Sequence, residues 1–219
     1  MRLHSLAEEF GRWTRNELDL TQEAQNAAEF KENNSDRENV YVPEVYQGLT
    51  SERVLTMERV NGSKITNQSA VSEADTGRRQ LVKDSVEHML RQYIVDGFFH
   101  ADPHPSNILV LEDGRIAYLD FGMMGREVRD RRNQMATMLV SMLNEDLEGY
   151  VSSLEEICYV DEGYDRQAIK RIARRNILEA EKSSFGDGGL LSIVKSLFGK
   201  TPEYGLHLPN TTALAAKSL

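Results

Sequence analysis

The chain has 219 residues, enough for one large domain or two small lobes, and its 40% hydrophobic and 28% charged content is ordinary for a globular protein with a real core. Its 26 Lys and Arg against 35 Asp and Glu give a net charge of -9, which excludes general nucleic-acid binding, since that depends on basic residues neutralising phosphates. No long apolar run occurs, Met1-Arg2-Leu3-His4-Ser5 lacks the apolar core of a secretion signal, and the lone Cys158 cannot form an internal disulfide, so the expectation is a soluble, cytoplasmic chain.

Leu3, Leu6, Phe10, Trp13 and Leu20 recur mostly at three, four or seven residues, which predicts one apolar stripe on a long helix continuing through Ala24, Ala27, Ala28 and Phe30. Glu17 and Glu23 lie six residues apart on it, about 240° around a regular helix, so they need different partners; without a partner they are a solvated acidic face. Asn33 to Asp36 is a loop. Val40 to Val45 and Arg53 to Arg59 then read as two strands joined through Gly48 and Ser51. Two strands are too few for an independently stable sheet, which implies further strands elsewhere.

Residues 66 to 78 are polar and read as loop or short helix. Leu81, Val82, Val86, Met89, Leu90, Tyr93 and Ile94 recur at helical spacing, and Gly97 ends the run before Phe98-Phe99 enters the core. This helix delivers the stretch from His100 to Gly122. Within it Ile108 to Leu111 and Arg115 to Leu119 are strands, and Glu112-Asp113-Gly114 is the turn of a hairpin.

Asn107 follows Asp102 by five residues, as in the D-x-x-x-x-N part of a protein-kinase catalytic loop, and Asp120 opens an Asp-Phe-Gly triplet. Phosphoryl transfer needs an oxygen base near the attacking hydroxyl and hard oxygen ligands for Mg2+. Asp102 stands where the base belongs, and Asn107 and Asp120 stand where the metal ligands belong. His100 reads as a loop-holding histidine, and His104 as a residue near substrate or phosphate. A transition-metal site is the weaker reading, because no cysteine is near.

Further helices are expected over 126–144, 146–158, 165–181 and 189–198. Met135, Met138 and Met142 are core filler in the first of these. Lys170, Arg171, Arg174 and Arg175 form a solvated basic face or, more sharply, a contact for anionic lipid.

His-Ala-Asp-Pro-His-Pro-Ser-Asn resembles the loop of the UbiB/AarF/ADCK atypical kinases, where a glycine is usual at the position of Ser106. Ala101 replaces the arginine of the ordinary His-Arg-Asp, and no Ala-Pro-Glu follows. Glu17-Leu18-Asp19, Gln22-Glu23-Ala24, Asn26 and Phe30 resemble the family's Glu-x-Asp element and following helix. That match implies Glu23 as partner of the ATP-site lysine and Glu17 with Asp19 as the pair facing phosphates and metal. Val54 to Gly62 resembles the strand and hinge between lobes, implying Met57 as gatekeeper and backbone groups of Glu58 and Val60 against adenine.

The implied fold is α+β and protein-kinase-like: a partial small lobe (1–60, long helix plus two strands) and a mainly helical large lobe (61–219) with the catalytic hairpin. No Lys-x-Gly-Gln motif, alanine-rich loop or Val-Ala-x-Lys strand occurs in these residues, and the resemblance implies a fragment whose Met1 is an internal start. The implied activity is Mg2+-ATP binding with phosphoryl transfer or hydrolysis, supporting ubiquinone biosynthesis. Its partners would be ATP and an unidentified phosphoryl acceptor or a lipid or quinone precursor, with peripheral membrane contact through other segments or an amphipathic face. The alternatives are a phosphotransferase of the aminoglycoside or choline kinase type, against which the Glu17-x-Asp19 helix argues, and a non-catalytic nucleotide-binding scaffold.

Overall fold

The computed structural model describes residues 19–73, 77–182 and 200–207. Glu17, the first part of the N-terminal helix and the helix expected over 189–198 lie outside them. The chain divides into two compact units, one from residues 1–75 with 103–124 and the other from 76–102 with 125–219.

The first unit is built on the hairpin. Strand β4 (Ile108–Val110) pairs antiparallel with β5 (Ile116–Tyr118), Leu109 opposite Ala117. Gly114 takes φ 84° in the turn between them. β1 (Val40–Tyr41) lies parallel on β5 and β2 (Ser63–Lys64) antiparallel on β4, giving the order β1-β5-β4-β2. All six residues of β4 and β5 are buried, so both faces of the hairpin are covered. One cluster gathers Leu109, Leu111 and Ala117 with Tyr41, Val60 and Leu119.

Helix α1 (Leu20–Asn33) buries Ala24, Ala27 and Phe30, the stripe its spacing predicts. Phe30 meets Tyr118 and Phe121 at ring-centroid distances of 5.4 Å each. Full burial of such a ring is worth about 2 to 3 kcal/mol, so this aromatic trio ties the helix to the end of β5. Asp19 caps the helix, its Oδ1 accepting from Thr21 N at 3.0 Å and Thr21 Oγ1 at 2.6 Å.

Of the strands expected over 40–45 and 53–59, the first is shortened to Val40–Tyr41 and the second does not form. Past Tyr41 only the bridges Val45–Met57 and Ser51–Val54 remain. Pro43 offers no N–H, which interrupts the ladder. Gly62 then lets the chain lie on the hairpin, since a Cβ there would stand 2.9 Å from Leu111 Cδ2 and 3.0 Å from the Val110 carbonyl oxygen. The polar stretch that follows holds a short helix, α2 (Gln68–Glu73).

In the second unit α3 (Gly77–Arg91) runs into a π-turn, Gln92–Asp96, and stops at Gly97, whose φ is 67°. A side chain there would be strained and would also collide with Arg132 and the Glu127 carbonyl. β3 (Phe98–His100) pairs with β6 (Met124–Arg126). α4 (Arg129–Leu143), α5 (Leu147–Ile157) and α6 (Arg166–Lys182) enclose a core of Met138, Met142, Tyr150, Val151, Ile169 and Ile172. Met138 and Met142 thus fill core space as expected. β7 (Tyr159–Val160) and β8 (Leu206–His207) pair antiparallel as a separate two-stranded sheet. The basic face of α6 is partly paired: Lys170 and Arg166 bridge to Glu148, and Arg166 also to Glu155.

Candidate active site

The hairpin register places its two polar ends side by side. Leu119 N–H donates to the Asn107 carbonyl at 3.0 Å, which extends the β4–β5 ladder by one step. Just beyond it Asn107 Nδ2 donates to Asp120 Oδ2 at 2.8 Å. Asp120 Oδ1 accepts Gly122 N–H at 2.9 Å, so the carboxylate is turned by its own Asp-Phe-Gly backbone.

Asn107 is steered from the other side too. His104 caps a one-turn 3-10 helix, Pro105–Asn107, its Nδ1 accepting from Ser106 N–H at 3.3 Å. Ser106 Oγ lies 2.7 Å from the same nitrogen and 3.2 Å from Asn107 Oδ1, with one proton to share between them. His104 therefore acts here on the loop's geometry.

Helix α1 grips the next peptide on both sides. Phe121 N–H donates to Glu23 Oε1 at 3.1 Å, and Asn26 Nδ2 donates to the Phe121 carbonyl at 2.9 Å. Three residues apart, Glu23 and Asn26 share one helix face. Burial holds the Glu23 carboxyl above the usual range; the Phe121 N–H opposes this and the neighbouring Asp120 charge adds to it. Glu23 Oε2 has no partner among the described residues, which leaves it open to a cation.

Along the hinge, Glu58 N–H donates to the Glu44 carbonyl at 2.8 Å. Its carboxylate accepts from Tyr41 OH at 2.6 Å and Glu44 N–H at 3.1 Å. The Tyr41 hydroxyl is the main cause of a lowered Glu58 pKa. The Glu58 carbonyl and the Val60 N–H make no hydrogen bond among the described residues. Met57 is half-buried and pairs with Val45.

Glu23, Met57, Glu58, Val60, Asn107 and Asp120 all belong to the first unit, where the structure joins Asn107 to Asp120 directly and Glu23 to the peptide that follows it. Asp19 is at the N-terminus of α1 as a cap. Asp102 belongs to the second unit. It is exposed, and its carboxylate has no partner among the described residues. Its N–H donates to His100 Nδ1 at 3.2 Å, the loop-holding role expected of that histidine. Among the described residues no three His, Cys, Asp or Glu side chains converge as a metal site. Burial pushes the Cys158 thiol up to about 12, so it is no nucleophile.

The ABC1 atypical kinase-like domain matches residues 1–154. The chain belongs to this family. It is 33% identical over 215 residues to Protein ACTIVITY OF BC1 COMPLEX KINASE 3, chloroplastic, of Arabidopsis thaliana, covering 98% of this chain and 30% of that protein. An uncharacterized protein of Synechocystis sp. is 32% identical over 203 residues, 93% of this chain and 30% of its own length. The chain thus spans about 30% of these curated relatives. The solved structure of Rv3197 from Mycobacterium tuberculosis, in complex with erythromycin, superposes with a TM-score of 0.66 at 18% identity, over 97% of this chain and 55% of that one. The fold is accordingly a partial protein-kinase-like fold, as the sequence implies, and the ABC1 family is the one the His-Ala-Asp-Pro-His-Pro and Glu-x-Asp elements resemble.

Two residues had no role from sequence. Asn26 sits in the quoted helix motif, and its spacing from Glu23 was the available signal. Gln92 sits among apolar neighbours at the end of α3, where nothing local marks it.

Proposed function

We propose that this ABC1-family chain binds Mg2+-ATP through its first unit and takes part in transfer or hydrolysis of the γ-phosphoryl group. The observation that carries this reading is the Asn107–Asp120 pair at 2.8 Å, fixed by the hairpin and by the Glu23–Asn26 grip on Phe121. A carboxylate and a carboxamide are hard oxygen donors, and Mg2+ bound to phosphates takes only one or two such protein ligands. The donor set therefore fits the ion.

A magnesium ion held there would supply positive charge to offset the negative charge developing on the phosphates. Asp120 would hold it through its carboxylate and Asn107 through Oδ1. Glu23, with one oxygen on Phe121 N–H and the other open, suits a lysine that itself faces phosphate. The Glu58 carbonyl and Val60 N–H, two residues apart and without hydrogen-bond partners among the described residues, suit the amino group and ring nitrogen of adenine. Asp19 and Glu17 would add negative charge on the metal side, for Asp19 at the cost of its cap. Asp102, unpartnered, would accept the proton of the attacking hydroxyl or orient a water. The phosphoryl acceptor on this reading is unidentified or a lipid or quinone precursor, and the process proposed to be served is isoprenoid-quinone (ubiquinone) biosynthesis.

Thermal unfolding tests the binding step. At 100 times its dissociation constant, Mg2+-ATP should add about 2.7 kcal/mol, roughly 5 to 11 °C for a chain of this size. Asp120→Asn should abolish the shift while leaving the apo protein folded. A cooperatively folding wild type with no shift would sink the assignment.

A further inference from the structure

Helix α3 leaves its regular winding at Gln92, the first residue of the π-turn, and π-turns recur at functional positions. Three polar side chains meet there almost without solvent: His88 is 0% exposed, Gln92 3% and His100 5%. Buried polar groups are costly unless each finds a hydrogen-bond partner. Gln92 connects them. Its Oε1 accepts His100 N–H at 2.9 Å, and its Nε2 lies 3.2 Å from His88 Nδ1.

The direction of each bond follows from what the atoms can do. An amide nitrogen only donates, so His88 presents an unprotonated ring nitrogen to Gln92, whose Nε2 lies 3.2 Å from Nδ1 and 3.5 Å from Nε2 of the imidazole. A backbone N–H only donates, so His100 presents an unprotonated Nδ1 to Asp102, 3.2 Å away. The line from helix to loop therefore runs His88, Gln92, the His100 backbone, the His100 ring and the Asp102 backbone. Asp102 is exposed with no partner for its carboxylate among the described residues. Its aim depends on the backbone that carries it.

We propose that Gln92 is a positioning residue for Asp102: by holding His100 from the end of α3 it fixes the backbone from which the Asp102 carboxylate projects. This rests on the reading of Asp102 as base or water-orienting group. The glutamine supplies two functions at once, an acceptor for a loop N–H and a donor to a buried imidazole. Glutamate keeps the acceptor, and His88 can meet it by moving its proton to the ring nitrogen that faces it. Leucine keeps bulk and provides neither.

The test compares Gln92→Leu and Gln92→Glu in the full 219-residue chain, read by amide hydrogen exchange and by the 15N resonance of His100 Nδ1. In Gln92→Leu the His100 and Asp102 amides should exchange about tenfold faster, the equivalent of one hydrogen bond, while core amides such as Val151 and Ile169 keep their wild-type rates. The His100 Nδ1 signal should move away from that of an unprotonated acceptor. ATP turnover should fall with little change in KM, and Gln92→Glu should restore most of each. Equal acceleration at core and loop, or an unmoved His100 signal, overturns the proposal, because a purely structural glutamine gives that result. Should the leucine variant not fold, Gln92→Met carries the same comparison. Failure of the underlying reading looks different: an Asp102→Asn chain that turns ATP over as fast as wild type would remove the base role and leave the exchange result standing.

Discussion

Asn107 and Asp120 are aimed side chain to side chain, through an amide, a carboxylate and a half-buried glutamate, whereas Asp102 is aimed through its backbone by a buried line of His88, Gln92 and His100. The first arrangement carries formal charge and stands partly in solvent, so ions and pH act on it directly. The second is almost fully buried, so packing acts on it instead. The two arrangements, one in each unit, are thus exposed to different perturbations, and each can be disturbed alone.

The largest separation is expected from Asp102→Asn. Turnover of ATP should fall by about 100-fold to 10,000-fold, the usual worth of a general base, while the magnesium-dependent thermal shift persists. Loss of both together would show that Asp102 serves binding and would erase the distinction. Asn26→Ala comes next. Removing the donor to the Phe121 carbonyl should lower stability by about 1 kcal/mol. Turnover should drop about tenfold through a misplaced Asp120, within the range for groups that support metal ligands. Steady-state kinetics beside denaturant titration checks it, and intact turnover at lowered stability would mean that the grip is only structural.

The smallest effect is expected from Glu23→Gln, and its sign is unusual for a carboxylate. Burial holds the folded-state pKa of Glu23 above its ordinary value. The stability linked to its proton is then complete below the unfolded value of about 4.3 and is lost as pH rises through the folded one. Glutamine escapes that loss while still accepting Phe121 N–H. The variant should melt with wild type near pH 4 and slightly above it near pH 8, by about 1 to 3 °C for a half-exposed group. A lower melting point at pH 8 would mean that Glu23 is stabilised by a cation in the folded chain.

Local chemistry made the meeting of Asn107 and Asp120 legible in the sequence. The hairpin needs only apolar runs and Gly114, so its strands and the approach of Asn107 to Asp120 follow from spacing. The helix before it follows from its apolar period and the Gly97 stop. Non-local pairing was not legible. Nothing in Val40-Tyr41 announces a parallel neighbour 76 residues away at Ile116 and Ala117, and Ser63-Lys64 is too short and polar to read as a strand. The polar partners hid for another reason: Asn26 and Gln92 each act on a backbone group arriving from elsewhere. An apolar stripe is periodic along its own helix; a single amide meeting a distant peptide leaves no period.

The grip of α1 on Phe121 also bears on the order in which the molecule assembles. Its two hydrogen bonds join residues 98 and 95 positions apart, while the Asn107–Asp120 pair closes only 13. By the logarithmic cost of loop closure, the longer loops lose about 1.8 kcal/mol more chain entropy than the short one. The hairpin and its polar pair can therefore form as a local unit during refolding, and the helix docks onto a peptide already presented. Pulse-labelled exchange would find Leu119 N–H protected before Phe121 N–H, so that of the groups gathered around Asp120, those contributed by the helix would be the last to arrive.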